Sequence, residues 1–240
     1  MPSATKEKEN TIELILNKKV FNNILKNRFK SEVIEIPFIT GKLKLKLDRF
    51  DFYNSDIKFF SKTNKGDKEL DITPTLLSYK MILDGNIVGI INFVNNKIVA
   101  SFKLEKKQFE ITEFNGNYVL FEATNSINSS NFSCAVENNY ESISPHISQL
   151  PQSTPVCVEL AVVIDFYTRQ TFNSDLESVN WALAIFAGVS QIYESETNAA
   201  IQVTYTYIWN IMDPYASSPG QAGVVLSDLR NYWQTNNAAI

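Results

Sequence analysis

Residues 156–176 read VCVELAVVIDFYTRQTFNSDL, and the fold turns on them. Val156 to Ile164 is an almost uninterrupted apolar run ending at Asp165, the pattern of a strand buried on both faces. Ser174-Asp175-Leu176-Glu177 then forms a capping box, in which the serine hydroxyl and the glutamate carboxylate satisfy free amides at a helix start. The spacing predicts a helix to about Tyr193 with Leu176, Val179, Leu183, Phe186 and Ile192 turned inward. Ile201 to Trp209 reads as the next strand, Asp213-Pro214 as a breaker and Val224 to Trp233 as a second helix. Two strands joined by a helix of this length are expected to be parallel. A two-strand sheet of this kind leaves a bare edge, so this part should be marginal unless the N-terminal part or another copy covers it.

Upstream the periodicity changes. Val20, Phe21, Ile24 and Leu25 recur at helical spacing between Lys18 and Phe29. Seven strand-like runs follow: EVIEIPF, KLKLKLDRF, TLLSYKMIL, IVGIINFV, KIVASFKL, QFEITEF and YVLFEA. Turn signals at Thr40-Gly41, Asp84-Gly85-Asn86, Asn95-Asn96 and Asn115-Gly116-Asn117 punctuate them, which predicts an antiparallel meander closed as a small sandwich or barrel. Residues 125–155 are rich in Ser, Asn and Pro without sustained periodicity, the composition of an exposed connector. The expected organisation is therefore α+β: a β-rich domain over 1–124, a linker over 125–155 and an incomplete β-α-β-α unit over 156–240.

Charge follows the same division. Of 22 Lys+Arg and 26 Asp+Glu, 2 and 8 lie after Leu150, leaving 20 and 18 before it, so the two parts carry +2 and −6. Opposite signs favour contact between the parts within one chain. Lys42, Lys44 and Lys46 alternate with Leu43, Leu45 and Leu47, as on the solvated face of a strand, and no base-stacking or groove-reading motif accompanies them, which argues against nucleic acid. No stretch has the length and hydrophobicity of a membrane span, and no signal peptide is visible at the N-terminus.

The single histidine, His146, excludes a two-histidine metal helix in this sequence. Phosphate-loop, dinucleotide and Gly-x-Ser-x-Gly motifs are absent as well. Asp165 at a strand end reads first as a cap and second as a functional carboxylate. Glu159, early in an apolar strand, is either an edge residue open to water or a cation ligand. Two cysteines, Cys134 and Cys157, allow one disulfide or two thiols, and unpaired thiols are the simpler reading.

The segments VELAVVIDFYTRQTFNSDLESVNWALAIFAGVSQIY, IQVTYTYIWNIMDPY and LSDLRNYWQ, in that order, resemble the opening of the catalytic domain in the adamalysin/reprolysin branch of the metzincin zinc endopeptidases. The meander from about Thr11 to Ala123 is similar to the propeptide preceding that domain. The resemblance implies the front of a secreted zymogen that hydrolyses polypeptide substrates with a catalytic zinc. It also implies that the His-Glu-x-x-His machinery lies beyond Ile240 and that the chain alone is inactive. By the same resemblance FSCAVEN makes Cys134 a cysteine-switch zinc ligand, with Ala135 where the family carries glycine. Glu159 matches a glutamate that binds structural calcium in some members. Cys157, in the apolar strand, is expected to be packed as a small hydrophobe or held for a disulfide. The alternative is a short non-catalytic homologue that acts as a binding or protease-inhibitory module.

Overall fold

The computed structural model describes residues 11–123, 156–215 and 221–236. Strand β1 (Thr11–Leu14) precedes helix α1 (Lys18–Asn27), which starts where the Asn17 side chain accepts from the Val20 N–H and ends at Arg28 in the left-handed region. Strands β2 (Ser31–Phe38) and β3 (Gly41–Arg49) follow. After β4 (Tyr53–Thr63) and β5 (Gly66–Glu69) come β6 (Leu77–Leu83), β7 (Asn86–Val94), β8 (Lys97–Leu104), β9 (Lys107–Phe114) and β10 (Asn117–Glu122). All of these except β4 and β5 make one curled antiparallel sheet in the order β1-β10-β9-β8-β7-β6-β3-β2. Asp84-Gly85, Asn95-Asn96 and Asn115-Gly116 all have positive φ, the geometry that two-residue hairpins need and that these residues tolerate. Glu105-Lys106 adopts it too, without a sequence signal.

The concave side of this sheet is filled by Leu45, Leu47, Tyr79, Met81, Phe93, Phe102 and Leu120, with Phe21 and Ile24 of α1 packed among them. The alternating lysines of β3 face out: Leu45 and Leu47 are fully buried, while Lys42, Lys44 and Lys46 are exposed. Period-2 patterning thus decides which side of β3 meets water.

The second sheet has the order β11-β12-β4-β5, where β11 is Val156–Ile164 and β12 is Ala199–Trp209. Between them lie a short helix, α2 (Phe166–Gln170), and the long α3 (Asp175–Thr197). Strands β11 and β12 are parallel, as their spacing predicts. The strand on the other side of β12 is β4, also parallel, with β5 turned back antiparallel beside it. A hairpin from the first seventy residues therefore completes a sheet begun after residue 155.

Helix α3 lies between the two sheets. Val179 and Leu183 are fully buried with Phe52, Phe59, Val162, Val203 and Ile208 of the second sheet and Ile90 and Val94 of the first. The other face of the second sheet carries Tyr205, Tyr207 and Trp209, covered by Tyr215 and by Val225, Leu229, Tyr232 and Trp233 of α4 (Ala222–Asn236). One extra residue permits this division. Thr204 has no partner in either ladder, so the pairing steps from Val203 to Tyr205. A bulge of this kind reverses the alternation, which sends Val203 and Ile208 toward α3 and Tyr205 and Tyr207 toward α4.

Burial along α3 departs from the amphipathic expectation. Leu176 and Phe186 are half-buried and Ile192 is exposed, whereas Ser178, Asn180 and Ser190 are buried. A helix covered on two sides hides a wider arc than one resting on a single sheet, and polar residues fall within that arc.

Candidate functional site

Polar side chains gather at the carboxyl ends of the parallel strands, where open α/β sheets place ligands. Asp165 caps α2: its Oδ1 accepts from the Thr168 N–H at 2.9 Å and its Oδ2 from the Thr168 hydroxyl at 2.7 Å. Both oxygens are engaged, so the capping role is what the structure shows. Asp175, in the first turn of α3, takes the Arg169 guanidinium and the Asn210 amide, and Asn210 also donates to Ser61 of β4 at 2.7 Å. Asp213 is buried, and its Oδ2 accepts from the Phe166 N–H at 3.0 Å. Among the described residues its Oδ1 and the Tyr215 hydroxyl are buried without hydrogen-bond partners. Burial first, and then the charge of Asp213, pushes the Tyr215 phenol up. These groups lock strand ends and helix starts together and form no pair of nucleophile and base.

Of the residues singled out in the sequence, Cys134 and His146 lie outside the described residues, as does the connector. Glu159 stands exposed on β11, across from Gln202. Among the described residues no group of three His, Cys, Asp or Glu is arranged to hold a metal ion. Cys157 departs from the expected buried position: β11 lies at the edge of the second sheet, and the first four residues of the strand, Cys157 included, are exposed. Its sulfur lies 3.7 Å from the Gln202 Oε1. The apolar run suggested burial on both faces, but β11 has a neighbour on one side only among the described residues.

The most developed set of specific contacts is the seam between α3 and the first sheet, which sequence reasoning missed. Asn180, 1% exposed, accepts from the backbone N–H groups of Thr75 and Leu76 and donates to the Thr75 hydroxyl and the Asn95 side-chain Oδ1. Asn95 and Asn92 donate in turn to the backbone carbonyls of Glu177 and Ala184 on α3. Lys80 reaches Glu194 at 2.7 Å while lying over the Phe50 ring. A weak signal was present, since Asn180 falls in an otherwise apolar stretch of the helix.

A second latch joins the hairpin to β12. Tyr207 donates to Asp67 at 2.8 Å, and Lys62 pairs with the same carboxylate at 2.7 Å. Burial acts to raise the Asp67 carboxyl, but the hydrogen bonds from Lys62 and Tyr207 outweigh it and hold it below its ordinary value. The same bond to Asp67 raises the Lys62 ammonium.

No family model matches the chain, and no curated protein matches it. Among solved structures, it is similar to the crystal structure of metalloproteinase-II from Bacteroides fragilis, at 8% identity and a TM-score of 0.47. The likeness covers 92% of this chain and 65% of that one, so the chain spans about two thirds of that structure. No helix among the described residues is long and apolar enough to cross a membrane.

Proposed function

We propose that this chain is the front part of a zinc metalloendopeptidase precursor of the metzincin kind, with residues 11–123 as the propeptide-like region and 156–236 as the start of the catalytic unit. The observation that carries the reading is the second sheet. Its parallel strands β11 and β12, linked by the capped helix α3, hold the Val-Glu-Leu strand, the Ser174 cap and the Asp213-Pro214 breaker in the order that prompted the resemblance. On this reading the zinc is held by residues the sequence does not contain, and it would polarise a peptide carbonyl and activate water. Cys134 is then its ligand in the latent form, Glu159 an oxygen donor to calcium, polypeptide the substrate and the cell exterior the place of action.

Reading the coding sequence past Ile240 tests this directly. A His-Glu-x-x-His-x-x-Gly-x-x-His motif within the following hundred or so residues supports it, and a stop codon without the motif defeats it. In an extended protein that binds one zinc, Cys134→Ser is expected to release chelator-sensitive proteolysis, whereas Cys157→Ser leaves latency intact. The alternative, a non-catalytic module, is favoured by the way the N-terminal hairpin adds strands to another sheet. Under that reading the stop codon is found, and the chain inhibits or binds a protease without hydrolysing peptide.

A further inference from the structure

We propose that the hairpin of β4 and β5 is a strand donor that holds residues 156–236 in their fold, so that severing the chain between residues 124 and 155 leaves one non-covalent complex and releases neither part. The inference goes beyond the protease reading and holds without it.

Three kinds of contact converge on the hairpin. Its backbone extends the ladder of β12: the Val203 N–H donates to the Phe52 carbonyl at 3.0 Å and the Asn210 N–H to the Lys62 carbonyl at 3.1 Å, bracketing a register from Tyr205 opposite Lys58 to Trp209 opposite Lys62. Without β4, the described part of residues 156–236 would retain two parallel strands with no further strand beside either among the described residues, which is marginal in water. On the α3 side, Phe52 and Phe59 are buried in the same cluster as Val203, Ile208 and Leu183. On the α4 side, Phe60 stacks on Tyr205 with ring centroids 5.2 Å apart, and Asp67 accepts from Tyr207. The hairpin is thus packed on both faces and bonded along its edge, the three components of strand addition.

None of these contacts involves residues 124–155, so a cut there removes the tether and leaves the hairpin in place. The seam at Asn180, Asn92 and Lys80 is also untouched by such a cut. Where the N-terminal part restrains an activity of the C-terminal part, one cleavage does not lift the restraint. Release requires a second event at the hairpin, such as a cut inside Tyr53–Glu69.

The test inserts a site-specific protease recognition sequence between residues 124 and 155 of the full chain. After cutting, gel filtration at about 1 μM is expected to show one species of the uncut size. Amide exchange at Val203 and Asn210 is expected to stay as slow as in the uncut chain. Separation of the two pieces, or fast exchange at both amides, overturns the proposal. Two variants that retain near-native circular dichroism before cutting locate the grip. Phe60→Ala is expected to weaken the cut complex about tenfold or more, as loss of a packed aromatic anchor does, and Lys80→Met less. A Phe60→Ala complex as tight as its parent, or one less affected than Lys80→Met, assigns the grip to the α3 seam and overturns the role of the hairpin.

Discussion

The two sheets are built on opposite plans. In the eight-stranded sheet most neighbours are consecutive in sequence and joined by two-residue turns, and one apolar cluster fills its concave side. In the four-stranded sheet β12 lies between β11, reached through α3, and β4, 147 to 150 residues upstream by the register of Val203 with Tyr53 through Trp209 with Lys62. Local pairings close small loops and form early, whereas distant ones wait for the chain to be brought together. The first sheet can therefore assemble from its own hairpins and present β4 and β5 as a ready edge. The second stays marginal until that edge exists. Their shared element is α3, buried against both.

The largest expected effect tests whether that sharing makes one cooperative unit. Leu183 is fully buried in the cluster that side chains of both sheets share, so Leu183→Ala should destabilise the protein by about 3 kcal/mol. All three tryptophans, Trp181, Trp209 and Trp233, lie after residue 155, so their fluorescence reports the second sheet while far-ultraviolet circular dichroism reports both. In urea the two signals are expected to shift together. If fluorescence moves to lower urea while a second, unshifted dichroism transition remains, the sheets are independent units and the comparison breaks.

Next in size is Asn180→Ala. The substitution leaves the Thr75 N–H and the buried Leu76 N–H without their acceptor and the Asn95 Oδ1 without the amide that donates to it. An unsatisfied buried group costs roughly 1–3 kcal/mol, and we expect about 2 kcal/mol by urea denaturation. A change below about 0.5 kcal/mol would mean that water replaces these bonds and that the seam adds little to the docking of the two layers.

This difference in plan also governs what can be read from the sequence. The hairpins of the first sheet are legible because each pairs neighbours and carries its own turn residues, as at Asp84-Gly85. The β11-α3-β12 unit is legible because an apolar run, a capping box and a β-rich run occur in order. The hairpin β4–β5 was not, since NSDIKFFSKT has polar residues on both faces at its start and its partner is a strand that local periodicity does not identify. For the same reason the exposure of the first four residues of β11 was not anticipated. An apolar run shows what a strand can bury, and only the tertiary arrangement shows how many neighbours it has. The polar latches at Asn180 and Asp67 depend on two distant segments meeting, which no spacing rule anticipates. Of the candidate site, the Asp165 cap and the Ser174 cap were legible because both are completed within a few residues.

A smaller effect is expected at that second cap. Ser174 Oγ accepts from the Glu177 N–H at 3.1 Å, while the Glu177 carboxylate reaches back past the cap to the Asn173 N–H at 3.0 Å. Ser174→Ala should cost about 1 kcal/mol, and Glu177→Gln less, because its amide oxygen can still accept from Asn173. Should Ser174→Ala shift the fluorescence midpoint without the dichroism midpoint, the start of α3 belongs to the second sheet alone, which sharpens the boundary between the two plans.

The smallest effect at neutral pH appears only in alkali, and it distinguishes the two sheets by their tyrosines. Under α4, burial first and then the Asp67 charge push Tyr205 up to about 12, and burial raises Tyr207 and Tyr215 as well. Lys62 is raised from 10.5 by its bond to Asp67. A group whose folded pKa is raised contributes stability that is complete below its unfolded value and lost as pH climbs through the folded one. For these groups the unfolded values are 10.0 and 10.5, so stability should be level from pH 7 to 9 and fall steeply above 10. The concave core of the first sheet holds one such residue, Tyr79, raised by burial. Tyr207→Phe keeps the ring and removes the hydroxyl that Asp67 accepts from, so it should cost no more than about 1 kcal/mol at pH 7 and flatten the alkaline fall. Tyr79→Phe should flatten it less, because the other sheet and its cover keep Tyr53, Tyr205, Tyr207, Tyr215 and Lys62, all raised. Urea midpoints of the two variants between pH 7 and 12 decide the matter. A larger flattening by Tyr79→Phe would place the alkaline weak point in the first sheet and reverse the order of the two.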